Sequence, residues 1–116
     1  QHTSIATQHF ATVIDGMEQV LESVDGTAFG SRVQVISICG KTGTAENPHG
    51  DDHSIFIAFA PKENPEIAMA VYVENAGGGS IWAAPIATLI IEKYLNNTIS
   101  RPILEKQMLN RNLIDK

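Results

Sequence analysis

The residues best suited to chemistry stand together at Lys41-Thr42-Gly43-Thr44, at the end of an apolar run. Side chains alternate along an extended strand, so Thr42 and Thr44 are expected on one side. Two hydroxyls on one side can hold a carboxylate by hydrogen bonds. Gly43 has no side chain, which lets a ligand backbone approach closely. Lys41 adds a positive charge that can attract a carboxylate or bias a nearby proton transfer. A strand bordering a cleft can also pair its backbone with a peptide and take it in as an extra strand.

Other groupings of residue types compete with this one. Gly40-Lys41-Thr42 shares letters with a phosphate-binding loop, but that loop needs a glycine where Val35 stands and a helix after the threonine. Gly43-Thr44-Ala45 continues extended instead. The run Ala76-Gly77-Gly78-Gly79 has no lysine or arginine near it in sequence. It reads as a tight strand-to-helix turn rather than an anion cradle. His49-Gly50-Asp51-Asp52-His53 contains metal-ligand residue types. One short loop rarely supplies a full ligand set, so a solvated hinge is expected there, with no metal and no cofactor. Cys39 has no neighbouring histidine and reads as a small buried apolar residue.

The elements that must position Lys41 to Thr44 follow from periodicity. Residues 1 to 8 are polar and read as a connector. Phe10, Val13, Ile14, Met17, Val20 and Leu21 recur at helical spacing from His9 onward. Gly16 inside that helix suggests close packing against a neighbour. Asp25-Gly26 supplies the stop. Val33 to Ala45, Ser54 to Ala60 and Ile67 to Glu74 read as three strands. The short turn Pro61-Lys62-Glu63-Asn64-Pro65 makes the second and third an antiparallel hairpin. The polar connector from Glu46 to His53 makes the first two antiparallel neighbours. Ser80 is expected to cap a helix that has Pro85 in or near its first turn and ends at Asn96-Asn97. A last helix is expected from Arg101 to about Leu113, with Ser100 as its cap. The order gives an α+β fold, three antiparallel strands packed with N- and C-terminal helices, within one domain or part of one.

Composition excludes several classes. Apolar residues make up 43% of the 116, too many for a disordered chain. No apolar run approaches the ~18 residues that span a membrane, and no signal peptide is visible. Eight basic against 13 acidic residues give a net charge of −5. With no Lys/Arg cluster, nucleic acid is not expected as a partner. The single cysteine cannot form an internal disulfide.

Four stretches carry a resemblance: Asp15-Gly16-Met17 with Gly26-Thr27-Ala28; Gly40-Lys41-Thr42-Gly43-Thr44-Ala45; Phe59-Ala60-Pro61; and Val73-Glu74-Asn75-Ala76-Gly77-Gly78. They resemble the end of penicillin-binding protein transpeptidase domains, and the class B, elongation-type members match best. The tail after Asn97 has no matching motif. The resemblance implies the fold shared with serine β-lactamases and a D,D-transpeptidase that cross-links peptidoglycan by serine acyl transfer. It also gives the residues roles. Thr42 and Thr44 bind the terminal carboxylate of a D-alanyl-D-alanine stem peptide or of a β-lactam. The Thr44 N–H is one oxyanion-hole donor. Lys41 contacts a serine of the family's second motif.

Two family motifs are missing. None of Ser4, Ser23, Ser31, Ser37, Ser54, Ser80 and Ser100 has a lysine three residues on or an asparagine two residues on. Both the nucleophile motif, Ser-x-x-Lys, and the second motif, Ser-x-Asn, are therefore absent. Residues 1–116 read as the C-terminal piece of a larger transpeptidase domain, inactive alone and needing the remainder of that domain as its partner. The uncovered apolar surface favours self-association. The parent is expected at the outer face of a bacterial cytoplasmic membrane, anchored by a segment outside this chain. The rivals are a serine β-lactamase, a penicillin-sensing receptor domain, and a non-enzymatic α+β interaction module.

Overall fold

The computed structural model describes residues 2–114. Among these residues three helices and three strands follow one another as α1 (Thr7–Glu22), β1 (Cys39–Ala45), β2 (His53–Ala60), β3 (Ile67–Val73), α2 (Ala83–Asn96) and α3 (Pro102–Asn110), with one tight helical turn at Phe29–Ser31 after α1. The sheet order is β1-β2-β3 and both pairings are antiparallel. This is the expected α+β layout.

Register explains which side of the sheet is buried. Thr42 pairs with Phe56 and Thr44 with Ser54, while Lys41 pairs with Ile57 and Gly43 with Ile55. Directly opposed residues of an antiparallel pair share a face. The face of Ser54, Phe56, Ala58 and Ala60 is buried, whereas Ile57 and Tyr72 on the other face are about half exposed. Helix α2 covers the buried face with small residues, Ala83, Ala84 and Ala87, together with Ile91. Small side chains let the helix approach Phe56, whose full burial is worth ~1.5–3 kcal/mol.

The first expected strand is shorter than its composition suggests. Only Cys39–Ala45 is strand. Val33 and Ile36 are both buried while Val35 is exposed, and the Ile36 N–H donates to the Val33 carbonyl at 3.3 Å. A spacing of three buries both side chains in a tight turn, which an alternating strand cannot do. In α1, Leu21 is fully buried but Phe10 and Val13 are exposed, so the apolar stripe reaches the core only at its C-terminal end. Gly16 has open space where a Cβ would stand, against the close packing expected of it.

The helix caps also differ from expectation. Trp82, not Ser80, occupies the N-cap of α2. Ser54 of β2 supplies the missing acceptor: its Oγ accepts from the Ala83 N–H at 3.1 Å and donates to the Gly78 carbonyl at 2.9 Å. Asn97 ends α2 in the left-handed region, with φ 59°. Helix α3 stops at Asn110, and Arg101 rather than Ser100 stands at its N-cap. Ser100 and Arg101 turn instead to Glu92, which is 1% exposed in α2. The Glu92 carboxylate accepts from the Ser100 N–H at 2.7 Å, from the Ser100 hydroxyl, and from Arg101 Nε and Nη2 at 3.1 and 3.0 Å. Arg101 Nη1 also donates to the Ser31 carbonyl at 2.8 Å and to Thr88 Oγ1 at 3.1 Å. A buried acid is tolerated because every side of it is met by a donor.

Candidate active-site wall

Strand β1 lies at the end of the three-strand order, with β2 on its inner side. It is the strand that carries Lys41-Thr42-Gly43-Thr44. Thr42 and Thr44 share a face by register and Lys41 belongs to the other, as alternation requires. The Lys41 ammonium nevertheless reaches along the strand and donates to the Thr42 carbonyl at 2.7 Å. Thr42 Oγ1 lies 3.0 Å from Thr27 Oγ1. Thr27 belongs to the loop that leaves α1, so this contact joins that loop to the strand. A shallow cavity of ≈ 320 Å³ opens beside it, lined by Gly16, Gln19, Asp25, Gly26, Thr27 and Lys41.

Thr44 is exposed and faces the glycine-rich turn before α2. A Cβ on Gly78 would come within 3.8 Å of Thr44 Oγ1. Gly79 sits on the backbone itself: a Cβ there would collide with the Ile55 and Gly43 carbonyl oxygens. Gly26 is required for the same reason, because a Cβ would strike the Gln19 and Val20 carbonyls. The glycine run is thus the support on which this end of β1 rests, and its turn role agrees with the sequence reading.

The Asp52-His53 connector and Cys39 have structural duties. His53 opens β2, its Nδ1 accepts from the Asn75 N–H at 3.1 Å, and its ring lies 5.3 Å from that of Tyr72. Asp52 Oδ1 accepts from the Asn47 N–H at 3.2 Å, and its carbonyl accepts from Ala76 and Gly77. These contacts tie the connector before β2 to the segment after β3. Cys39 is buried, and burial foremost pushes its thiol pKa up.

Sequence reasoning gave no role to a second polar cluster at the other end of β1. Lys62, in the turn between β2 and β3, donates to Asp15 Oδ1 at 2.8 Å and to Glu18 Oε1 at 3.0 Å on α1. Glu18 Oε2 accepts from Ser37 Oγ at 2.9 Å, and the Lys62 N–H donates to the Ser37 carbonyl at 2.9 Å. The hydrogen bond from Lys62 holds the Glu18 carboxyl below its ordinary range, and the Asp15 and Glu18 partners push the Lys62 ammonium well up. The only signals were Asp15, inside a resemblance stretch, and a lysine in a turn.

Residues 1–92 match the family described as the penicillin binding protein transpeptidase domain. The chain belongs to this family. It is 33% identical over 118 residues to the peptidoglycan D,D-transpeptidase MrdA of Haemophilus influenzae, covering 83% of this chain and 18% of that protein. Among solved structures, Pseudomonas aeruginosa PBP2 superposes with a TM-score of 0.71 at 36% identity, over 82% of this chain and 21% of that one. Penicillin-binding protein A of Mycobacterium tuberculosis, solved as an imipenem acyl-enzyme complex, superposes with a TM-score of 0.68 at 32% identity, over 83% and 21%. The chain spans about a fifth of the length of these penicillin-binding proteins.

Proposed function

We propose that residues 1–116 form the C-terminal part of the transpeptidase domain of an elongation-type peptidoglycan D,D-transpeptidase. The observation that carries this reading is the placement of Lys41-Thr42-Gly43-Thr44 on a strand with only one hydrogen-bonded neighbour among the described residues. Its outer edge can pair with a stem peptide. Thr42 and Thr44, on one face, hold the terminal carboxylate of D-alanyl-D-alanine or of a β-lactam. The Thr44 N–H donates to the oxyanion of the tetrahedral intermediate. Lys41 lies along the strand and serves the proton transfers of a serine in the family's second motif.

The reaction is acyl transfer. A serine hydroxyl, supplied by sequence beyond these residues, attacks the carbonyl of the penultimate D-alanine. An ester forms, D-alanine leaves with the proton, and an amine of a neighbouring stem peptide takes the acyl group. The likeness to a protein solved as an imipenem acyl-enzyme supports binding of β-lactams by the same route. Residues 1–116 alone, without that serine, transfer nothing. The parent acts at the outer face of the cytoplasmic membrane, where its substrate lies.

The test is the intact mass of the full-length protein after incubation with a penicillin, beside Lys41→Ala and beside the 116-residue chain. The reading expects one stable adduct on the full-length protein, slowed or lost in Lys41→Ala and absent from the short chain. An adduct that hydrolyses within seconds would move the assignment to a β-lactamase. No adduct on folded protein would leave a non-catalytic module.

A further inference from the structure

We propose that Lys62 is a positioning residue for β1: with Asp15, Glu18 and Ser37 it forms a clamp that sets where Lys41, Thr42 and Thr44 stand. The proposal rests on the transpeptidase reading above. Its starting point is a gap in the sheet. The β1–β2 register begins at Cys39 opposite Phe59. Carried two residues outward, it brings Ser37 opposite Pro61, which has no N–H to donate. The ladder ends at Cys39, and the Ser37 carbonyl takes its donor from the residue after the proline.

Lys62 replaces it in two ways. Its backbone N–H donates to the Ser37 carbonyl, and its ammonium binds Asp15 and Glu18 of α1. Glu18 closes the ring by accepting from the Ser37 hydroxyl. Three segments distant in sequence meet at Lys62, which holds α1 by its ammonium and the lead into β1 by its backbone N–H. Lys62 and Glu18 are each about a fifth exposed, so the charges remain partly hydrated and the clamp is not a buried pair. From Ser37 to Lys41 is four residues, a lever of about 13 Å in extended chain. A small rotation at Ser37 displaces the Lys41 backbone and the Thr44 N–H. A misplacement near 1 Å at reacting groups can cost about a hundredfold in rate. None of the four clamp residues is proposed to touch substrate.

The experiment measures acylation of the full-length protein by a fluorescent penicillin in stopped flow. It separates the dissociation constant of the first complex from the acylation rate constant per titratable site. Lys62→Met is expected to lower that rate constant between about tenfold and about a hundredfold, and Lys62→Arg, which keeps a cation able to bridge two carboxylates, to recover most of it. Ile91→Ala, a core change on α2 away from the clamp, should lower the melting temperature at least as much yet leave the rate constant per site unchanged. Should Lys62→Met fail to fold, Ser37→Ala removes only the hydroxyl link, and a roughly threefold fall is expected. A wild-type rate constant in Lys62→Met, or in Ser37→Ala where that variant stands in, overturns the proposal. So does an equal fall in Ile91→Ala, which would reduce the effect to general destabilisation. No adduct on the wild-type protein overturns the transpeptidase reading and this proposal with it. An adduct on wild type with no change in the variants overturns the clamp alone.

Discussion

Two ionic clusters in this chain use the same groups to different ends. Glu92 and Arg101 meet out of water: the carboxylate is 1% exposed and the guanidinium 17%. Burial works against the charged form of Glu92, but hydrogen bonds from Ser100 and Arg101 outweigh it and hold its pKa below the usual range. Lys62 with Asp15 and Glu18 sits at the sheet margin, where Asp15 is 69% exposed. The first cluster joins α3 to α2 and to the turn at Ser31. The second fixes one end of a strand that has a cleft-type sequence at its other end. A buried pair cannot lose one member without stranding a charge, whereas a hydrated clamp can open at small cost in stability and still alter geometry.

The largest effect expected from this contrast is at Arg101. Arg101→Ala leaves Glu92 buried without its cation and should cost about 3–5 kcal/mol in urea unfolding. Lys62→Met should cost distinctly less in the same assay while affecting acylation more. Equal losses of stability would erase the distinction. Next comes Gly79→Ala. Its new methyl meets the Ile55 and Gly43 carbonyls, and backbone cannot yield as a side chain does, so a loss of about 1–3 kcal/mol is expected.

Acid sharpens the comparison further. The Glu18 carboxyl has a folded pKa below its ordinary value. Its contribution is therefore present above the unfolded value of about 4.3 and is lost as pH falls through the folded value. Melting temperature followed downward from pH 6 should fall less steeply in Lys62→Met than in wild type, because removing the ammonium removes most of the depression. Parallel curves would detach Glu18 from Lys62. The smallest effect belongs to Thr27→Val, which deletes the hydroxyl near Thr42. Unfolding should shift by no more than about 0.5 kcal/mol. A larger shift would make the Thr27–Thr42 contact a structural prop.

What the sequence disclosed and what it hid follow from range. Ser54 to Ala60 and Ile67 to Glu74 were visible as strands, within a residue of the observed bounds, because apolar runs bounded by turn residues are local signals. That Lys41 to Thr44 stand on a strand was visible from the apolar run they end, and their carboxylate-binding role is proposed from their side-chain types. Val33 to Ile38 misled because β-branched composition cannot tell a strand from a turn that buries Val33 and Ile36 together. Ser80 and Ser100 had the right chemistry for caps, but tertiary partners decided otherwise: Ser54 serves α2 from a neighbouring strand, and Ser100 serves Glu92. The clamp was invisible because Lys62 lies 47 residues from Asp15 and 44 from Glu18, and polar pairs at that distance leave no periodic trace.

The contact of Gly79 with Gly43 has an implication for variation. At that seam main chain rests on main chain, so no side chain is available for substitution to enlarge, shrink or recharge. In a saturation library, Gly79 should tolerate almost nothing. Diversity at this end of the sheet must enter through a neighbour that projects a side chain and lies outside the proposed site, Ile81. Inheritance there is held by the shape of the chain, and novelty is confined to its border.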